Sequence, residues 1–202
     1  MELDHIAVAG ADLTRAAAHV EAALGVAMQP GGRHDLFGTH NRLLGLADGL
    51  YLEAIAVDPA APAPARARWF GLDRFKGVPR LSNWICRVDD LETALARLPE
   101  GAGRPVAVSR GDLRWRMAVP EDGMLPFDNL FPALIEWEGD QHPAAMLAPS
   151  GCRLTRLTVR HPRAGELAQA LAGFSDRRVE FEAGSAALSA RFETPHGERV
   201  LA

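Results

Sequence analysis

Three stretches of this 202-residue chain can be laid over one another, and that repeat restricts the possible folds more than any other feature. They are LDHIAVAGADLTRAAAHVEAALG from Leu3, LSNWICRVDDLETALARLPEG from Leu81 and LTRLTVRHPRAGELAQALAGF from Leu154. Each reads as a strand, a turn and an amphipathic helix. In the first, Ile6 and Val8 alternate with His5, Ala7 and Ala9, the period of a strand with two unlike faces. Asp12 is a good helix N-cap, Leu13, Ala16, Val20 and Leu24 form one apolar stripe, and Gly25 ends the helix. The second copy runs Trp84, Cys86 and Val88, an Asp90 cap, then Leu91, Leu95 and Leu98. The third has Leu157 and Val159, then Leu167 and Leu171.

Short strand-like runs follow each helix. They are GVAMQPG, THNRLLGL and LYLEAIAV in the first copy, with ADG as the turn between the last two. RPVAVSR, LRWRMAV and PALIEWE follow in the second, and RVEFEA, AALSARFETP and ERVLA in the third. Each module is therefore βαβββ, complete in two copies and degenerate in the third. The expected division is a first module over 1–58, a proline-stiffened linker over 59–80, a second module over 81–147 and a third over 153–202. The order of elements predicts an α+β fold of mixed, curved sheets forming a cup, with the helices outside.

Charge and cysteine content limit the partners. A net charge of −4 gives no argument for nucleic acid or an acidic membrane. No basic-then-apolar leader opens the chain and no apolar run is long enough to cross a bilayer, so the expectation is a cytoplasmic protein whose partner is a small molecule. Cys86 and Cys152 lie far apart with no CxxC, as buried or surface thiols do. Lys76 is the only lysine, which disfavours Schiff-base chemistry.

The opening LDHIAV, the stretch GTHNRLLGL…GLYLEAIAVDP and the later PALIEWEGDQHP resemble the glyoxalase-like domain of the vicinal oxygen chelate superfamily. That superfamily also contains extradiol dioxygenases, fosfomycin-modifying enzymes and bleomycin-sequestering proteins. The resemblance covers roughly residues 1–147. It implies a cup holding a divalent metal, with ligands from the first and last strand of each module, and modules that pair within one chain or across a homodimer. Carried over by position, it offers His5, Glu53 and Glu136 as metal ligands, with Glu53 or Glu136 moving a proton. Asn83 stands where a second histidine is expected, and Arg156 takes that place in the third module. Such a donor set suits Mn²⁺, Mg²⁺, Fe²⁺, Ni²⁺ or Zn²⁺, with no organic cofactor.

Strand parity puts His5, Asn83, Ile85 and Arg87 on the cup face if Ile6, Val8, Trp84 and Cys86 face the helices. Glu53 and Glu136 each interrupt an apolar strand, where a carboxylate is costly unless paired, hydrated or bound to a cation. Arg114 and Arg116 share a face of one strand and, with Arg87, would hold an anionic substrate if they point inward; the alternative is a solvated face. His34 and Asn41 are cup-rim residues by resemblance, and otherwise serve their loop. Trp137, opposite Glu136 in parity, is expected to pack under the helix. Two functions stay open: a metal-dependent isomerase, lyase or epimerase acting on a small anionic vicinal-oxygen substrate, and a metal-free protein that binds or sequesters a small molecule.

Overall fold

In the computed structural model, which describes residues 1–202, the first repeat folds as β1 (Glu2–Ala9), α1 (Leu13–Leu24), β2 (Gln29–His34), β3 (Thr39–Leu46) and β4 (Tyr51–Val57). Asp12 caps α1 by accepting the Arg15 N–H at 2.8 Å, and Gly25 closes it at φ 73°, a left-handed conformation that glycine adopts without penalty. Ala16, Ala17, Val20 and Leu24 form its buried face. β4 runs parallel to β1, β3 antiparallel to β4, and β2 antiparallel to β3.

The second repeat gives β5 (Arg80–Arg87), α2 (Leu91–Leu95), β6 (Arg104–Arg110), β7 (Leu113–Val119), the four-residue turn α3 (Pro126–Asn129) and β8 (Ala133–Glu138). Its pairing matches the first: β8 is parallel to β5, and β7 and β6 follow antiparallel. β1 and β5 pair antiparallel, so the two modules share one sheet through their first strands within a single chain. The linker between them contributes a short 3-10 segment, Trp69–Arg74, whose Trp69 and Phe70 are buried.

After the turn α4 (Pro143–Met146), the chain continues as β9 (Pro149–His161), α5 (Ala164–Ala170), β10 (Val179–Ala183), β11 (Ala187–Thr194) and β12 (Gly197–Leu201). Here the pairing changes: β9 lies between β10 and β11 and touches the first module through β3. All twelve strands form one connected, curved sheet. The third repeat covers the outer face of the β1–β5 seam, where Phe174 and Phe181 lie 5.4 and 6.2 Å from the fully buried Trp84 ring. The Trp84 indole N–H donates to the Leu130 carbonyl at 2.8 Å. Burying an indole this way contributes a few kcal/mol, roughly 3–5 by the cost of truncating such a side chain. No helix is long and apolar enough to cross a membrane.

Candidate active site

A register shift places the site. Between Leu3 and His5, β1 advances two residues while β5 advances one, from Cys86 to Ile85, so Asp4 is the extra residue of a β-bulge. In a regular strand Asp4 and His5 would point to opposite faces. Here their side chains meet, Asp4 Oδ1 lying 2.6 Å from His5 Nδ1. Asp4 is fully buried and its other oxygen accepts from Trp137 Nε1 at 3.0 Å and His142 Nε2 at 2.9 Å. Burial alone would raise the Asp4 pKa, but the hydrogen bonds from His142 and His5 and their charges outweigh it and hold the carboxyl well below the usual carboxylate range. An ionised carboxylate only accepts, so His5 carries its proton on Nδ1 and turns the bare Nε2 inward. The His142 tautomer follows in the same way: its Nδ1 accepts the Ala144 N–H at 3.3 Å, leaving Nε2–H for Asp4.

His5 stacks on Tyr51, its partner in the β1–β4 register, with ring centroids 4.2 Å apart. Burial and the nearby Asp4 and Glu53 charges raise the Tyr51 pKa well above its ordinary value, so it remains a neutral phenol. One pleat along, on the same face of β4, Glu53 brings Oε2 to 3.9 Å from His5 Nε2. Its Oε1 accepts from Asn41 Nδ2 at 2.5 Å. The Asn41 amide is oriented in turn by its oxygen, which accepts from the Gly32 N–H at 2.8 Å and from Arg110 Nη1 at 3.2 Å. Arg110 also reaches His34 Nε2 at 3.4 Å, while His34 Nδ1 lies 3.0 Å from Thr39 Oγ1. Burial, with the positive charge of Arg110, lowers the His34 pKa to about 3, so at neutral pH its Nδ1–H donates to Thr39 and Nε2 accepts from Arg110.

These groups surround a cavity of about 30 Å³, walled by Trp69, Phe70, Trp115, Met117, Ile135 and Trp137. That is room for one or two waters. The indole N–H of Trp69, one of the wall residues, is buried without a partner.

His5, Glu53, Asn41 and His34 thus come together; the other residues singled out in the sequence do not join them. On β8 it is Ile135 and Trp137 that line the cavity, so Glu136 faces outward, the reverse of the expected parity. Its carboxylate accepts the Leu91 N–H at 2.7 Å at the start of α2 and two bonds from Arg116 at 2.6 and 2.7 Å, while Arg116 also holds Glu92. Arg114 donates to the Gly111 and Leu113 carbonyls of its own hairpin. Arg87 pairs with Glu2 at the end of the β1–β5 ladder, where both are largely exposed. Asn83 is fully buried with Nδ2 on the Asn129 carbonyl at 3.3 Å and its oxygen unpartnered, outside the cavity lining. The third-module residue Arg156 pairs with Glu180 at the surface.

A divalent metal does not fit this donor set. The first module offers His5 Nε2 and Glu53, but the second presents Ile135 and Trp137 where further ligands are needed, and the Arg110 guanidinium brings a positive charge to the same groups. No group of three or more His, Cys, Asp or Glu side chains converges in metal-binding geometry anywhere in the chain.

Asp4, Arg110 and Trp69 are among the site residues that sequence reasoning missed. Asp4 is invisible to a parity argument because the bulge moves it. Arg110 was within reach: Val106, Val108 and Arg110 share one face of β6, and both valines are buried. Trp69 sits in a proline-rich segment with no strand or helix period to fix its direction.

A family model described as glyoxalase-like domain matches residues 3–174. A crystal structure of a hypothetical protein from Staphylococcus aureus superimposes with a TM-score of 0.61 at 14% identity, covering 92% of this chain and 87% of that one. Methylmalonyl-CoA epimerase from Mycobacterium tuberculosis gives 0.45 at 24% identity, over 71% of this chain and 91% of that one. A Streptomyces coelicolor methylmalonyl-CoA epimerase variant in complex with 2-nitronate-propionyl-CoA gives 0.45 at 15% identity, over 69% and 99%. No curated protein matches the sequence.

Proposed function

Because the chain belongs to the glyoxalase-like domain family, we propose that its cup carries out acid–base isomerisation of a small anionic molecule with oxygens on neighbouring carbons, without a metal. The observation that carries this reading is the Asp4–His5–Glu53 set facing Arg110 across one cavity. His5 Nε2 holds a lone pair because Asp4 fixes the proton on Nδ1, and a buried carboxylate behind the ring stabilises the imidazolium formed when His5 takes a proton. That proton comes from a carbon bearing a hydroxyl next to a carbonyl; its bonding electrons move onto the carbonyl oxygen and give an enediolate. The remaining N–H groups of Arg110 hold the negative oxygens. Return of the proton to the neighbouring carbon regenerates His5 and completes the isomerisation with no co-reactant, Glu53 shifting the proton between the two oxygens. His5 and Glu53 stand side by side, which suits transfer along one face of the substrate better than inversion by bases on opposite faces.

The test is exchange of carbon-bound hydrogen. α-Hydroxy carbonyl compounds carrying a carboxylate are incubated with the protein in D₂O and followed by NMR. Exchange in the wild type that falls at least about 100-fold in His5→Gln supports the reading; no exchange, or exchange that survives His5→Gln, overturns it. Sequestration of a small molecule by the same fold is the second reading, favoured by the aromatic walls of the cavity, and it predicts binding with no exchange at all.

A further inference from the structure

The cavity above His5 and Glu53 is smaller than any substrate with two carbon-bound oxygens. Arg110 forms part of its wall, and the same side chain lines a neighbouring cleft of about 450 Å³, within the size range of small-molecule sites. Arg110 lines both spaces. We infer that the two are one site in two chambers: the substrate's anionic head lies on the Arg110 guanidinium, its reacting carbons enter the inner chamber as Arg110 swings aside, and an unbranched apolar extension occupies the outer cleft. This rests on the proposed reading of the inner chamber and specifies the substrate class it takes.

Arg110 stands between the two spaces. It stands at the end of β6, beside the Gly111–Asp112 turn, and holds the first module by two long contacts, 3.2 Å to Asn41 and 3.4 Å to His34. The first lies at the long end of the usual range and the second beyond it. Its stem passes over Gly32, where the Cβ of any other residue would lie 2.6 Å from Arg110 Cδ. Gly32 has no left-handed φ to require glycine, so the missing Cβ serves to admit the arginine. Leu43, Leu113, Pro143, Met146 and Leu147 give the outer cleft an apolar strip among Gln29, Gln141, Asp112 and three glycines, and Met146 on that strip is 66% exposed. Arg110 is the only cation along it, so an extension bearing phosphates finds no second partner there.

Binding of pyruvate and its straight-chain 2-oxo carboxylate homologues, up to eight carbons, is measured by calorimetry. Affinity rising about fourfold per added methylene is the expected result, the value of burying each in an apolar cleft. In Met146→Asp, a substitution at an exposed position, the rise with chain length flattens. Arg110→Gln weakens every member at least tenfold. Carboxylate binding that is independent of chain length, or a rise that Met146→Asp leaves intact, overturns the two-chamber site while leaving the inner chamber's reading in place. Failure of every homologue to bind overturns that reading, and the inference with it.

Discussion

Asp4 organises the site although it touches no cavity. It is the single acceptor for His5, His142 and Trp137, three donors from β1, the start of α4 and β8, so it ties both modules together at one point. Removing it strands those donors in a buried space. Asp4→Ala is expected to cost about 3–5 kcal/mol in urea unfolding; Asp4→Asn keeps an acceptor and is expected to lose less, while releasing the His5 tautomer. A loss below about 1 kcal/mol in the alanine variant would contradict this role. How far such residues are legible in a sequence depends on backbone regularity. His5 and Glu53 could be placed from alternation because β1 beyond the bulge and β4 are regular. Asp4 could not, since a bulge leaves no mark in composition. Arg110 followed the phase of Val106 and Val108, but the neighbouring pair Arg114 and Arg116 made the stronger pattern and concealed it.

Among the elements, β7 and β8 show where pattern reasoning goes astray. Leu113, Trp115 and Met117 mark one face of β7 as buried, so Arg114 and Arg116 share a face, but the outer one. β8 pairs with β7 in register, Arg116 opposite Glu136, and takes the same orientation. The sequence reading puts Glu136 on the inner face and Trp137 under the helix; the pairing of β8 with β7 reverses the two. Glu136 instead holds the N-terminus of α2, a helix of five residues too short to persist without such support. Glu136→Gln is expected to lower stability by roughly 1–2 kcal/mol, since it loses the charge that Arg116 and the helix end share. Carbon-hydrogen exchange at His5 is expected to stay within about twofold of wild type. Abolition of exchange with a folded protein would return Glu136 to the site.

The repeat made the architecture legible for the whole molecule: two βαβββ modules in one curved sheet with helices outside. The altered strand order of the third repeat, and its packing over Trp84, were not legible, because they depend on contacts between distant segments. The folded chain also carries a pH dependence that belongs to the molecule rather than to one strand. His34 stays neutral down to about pH 3 when folded, whereas an unfolded histidine takes a proton near 6.5. Below 6.5 the unfolded state therefore binds more protons, and stability falls as pH falls, by about 1.4 kcal/mol per unit until the folded pKa is reached. Asp4, with its lowered pKa, adds a loss of the same sign at more acid pH, beginning as the pH falls into the ordinary carboxylate range. Urea midpoints measured from pH 7 to pH 5 are expected to drop accordingly, and His34→Gln is expected to remove most of that drop; an equal slope in the variant would contradict the assignment.

If the cup works through Asp4, His5, Glu53 and Arg110 alone, its chemistry is indifferent to metal. Carbon-hydrogen exchange by the wild-type protein decides this, measured before and after exhaustive treatment with a chelator, and again with added Mn²⁺, Ni²⁺ or Zn²⁺. The expected result is exchange that chelation leaves unchanged, that added metal does not raise, and that His5→Gln abolishes. Exchange that chelation removes and a metal restores would contradict it.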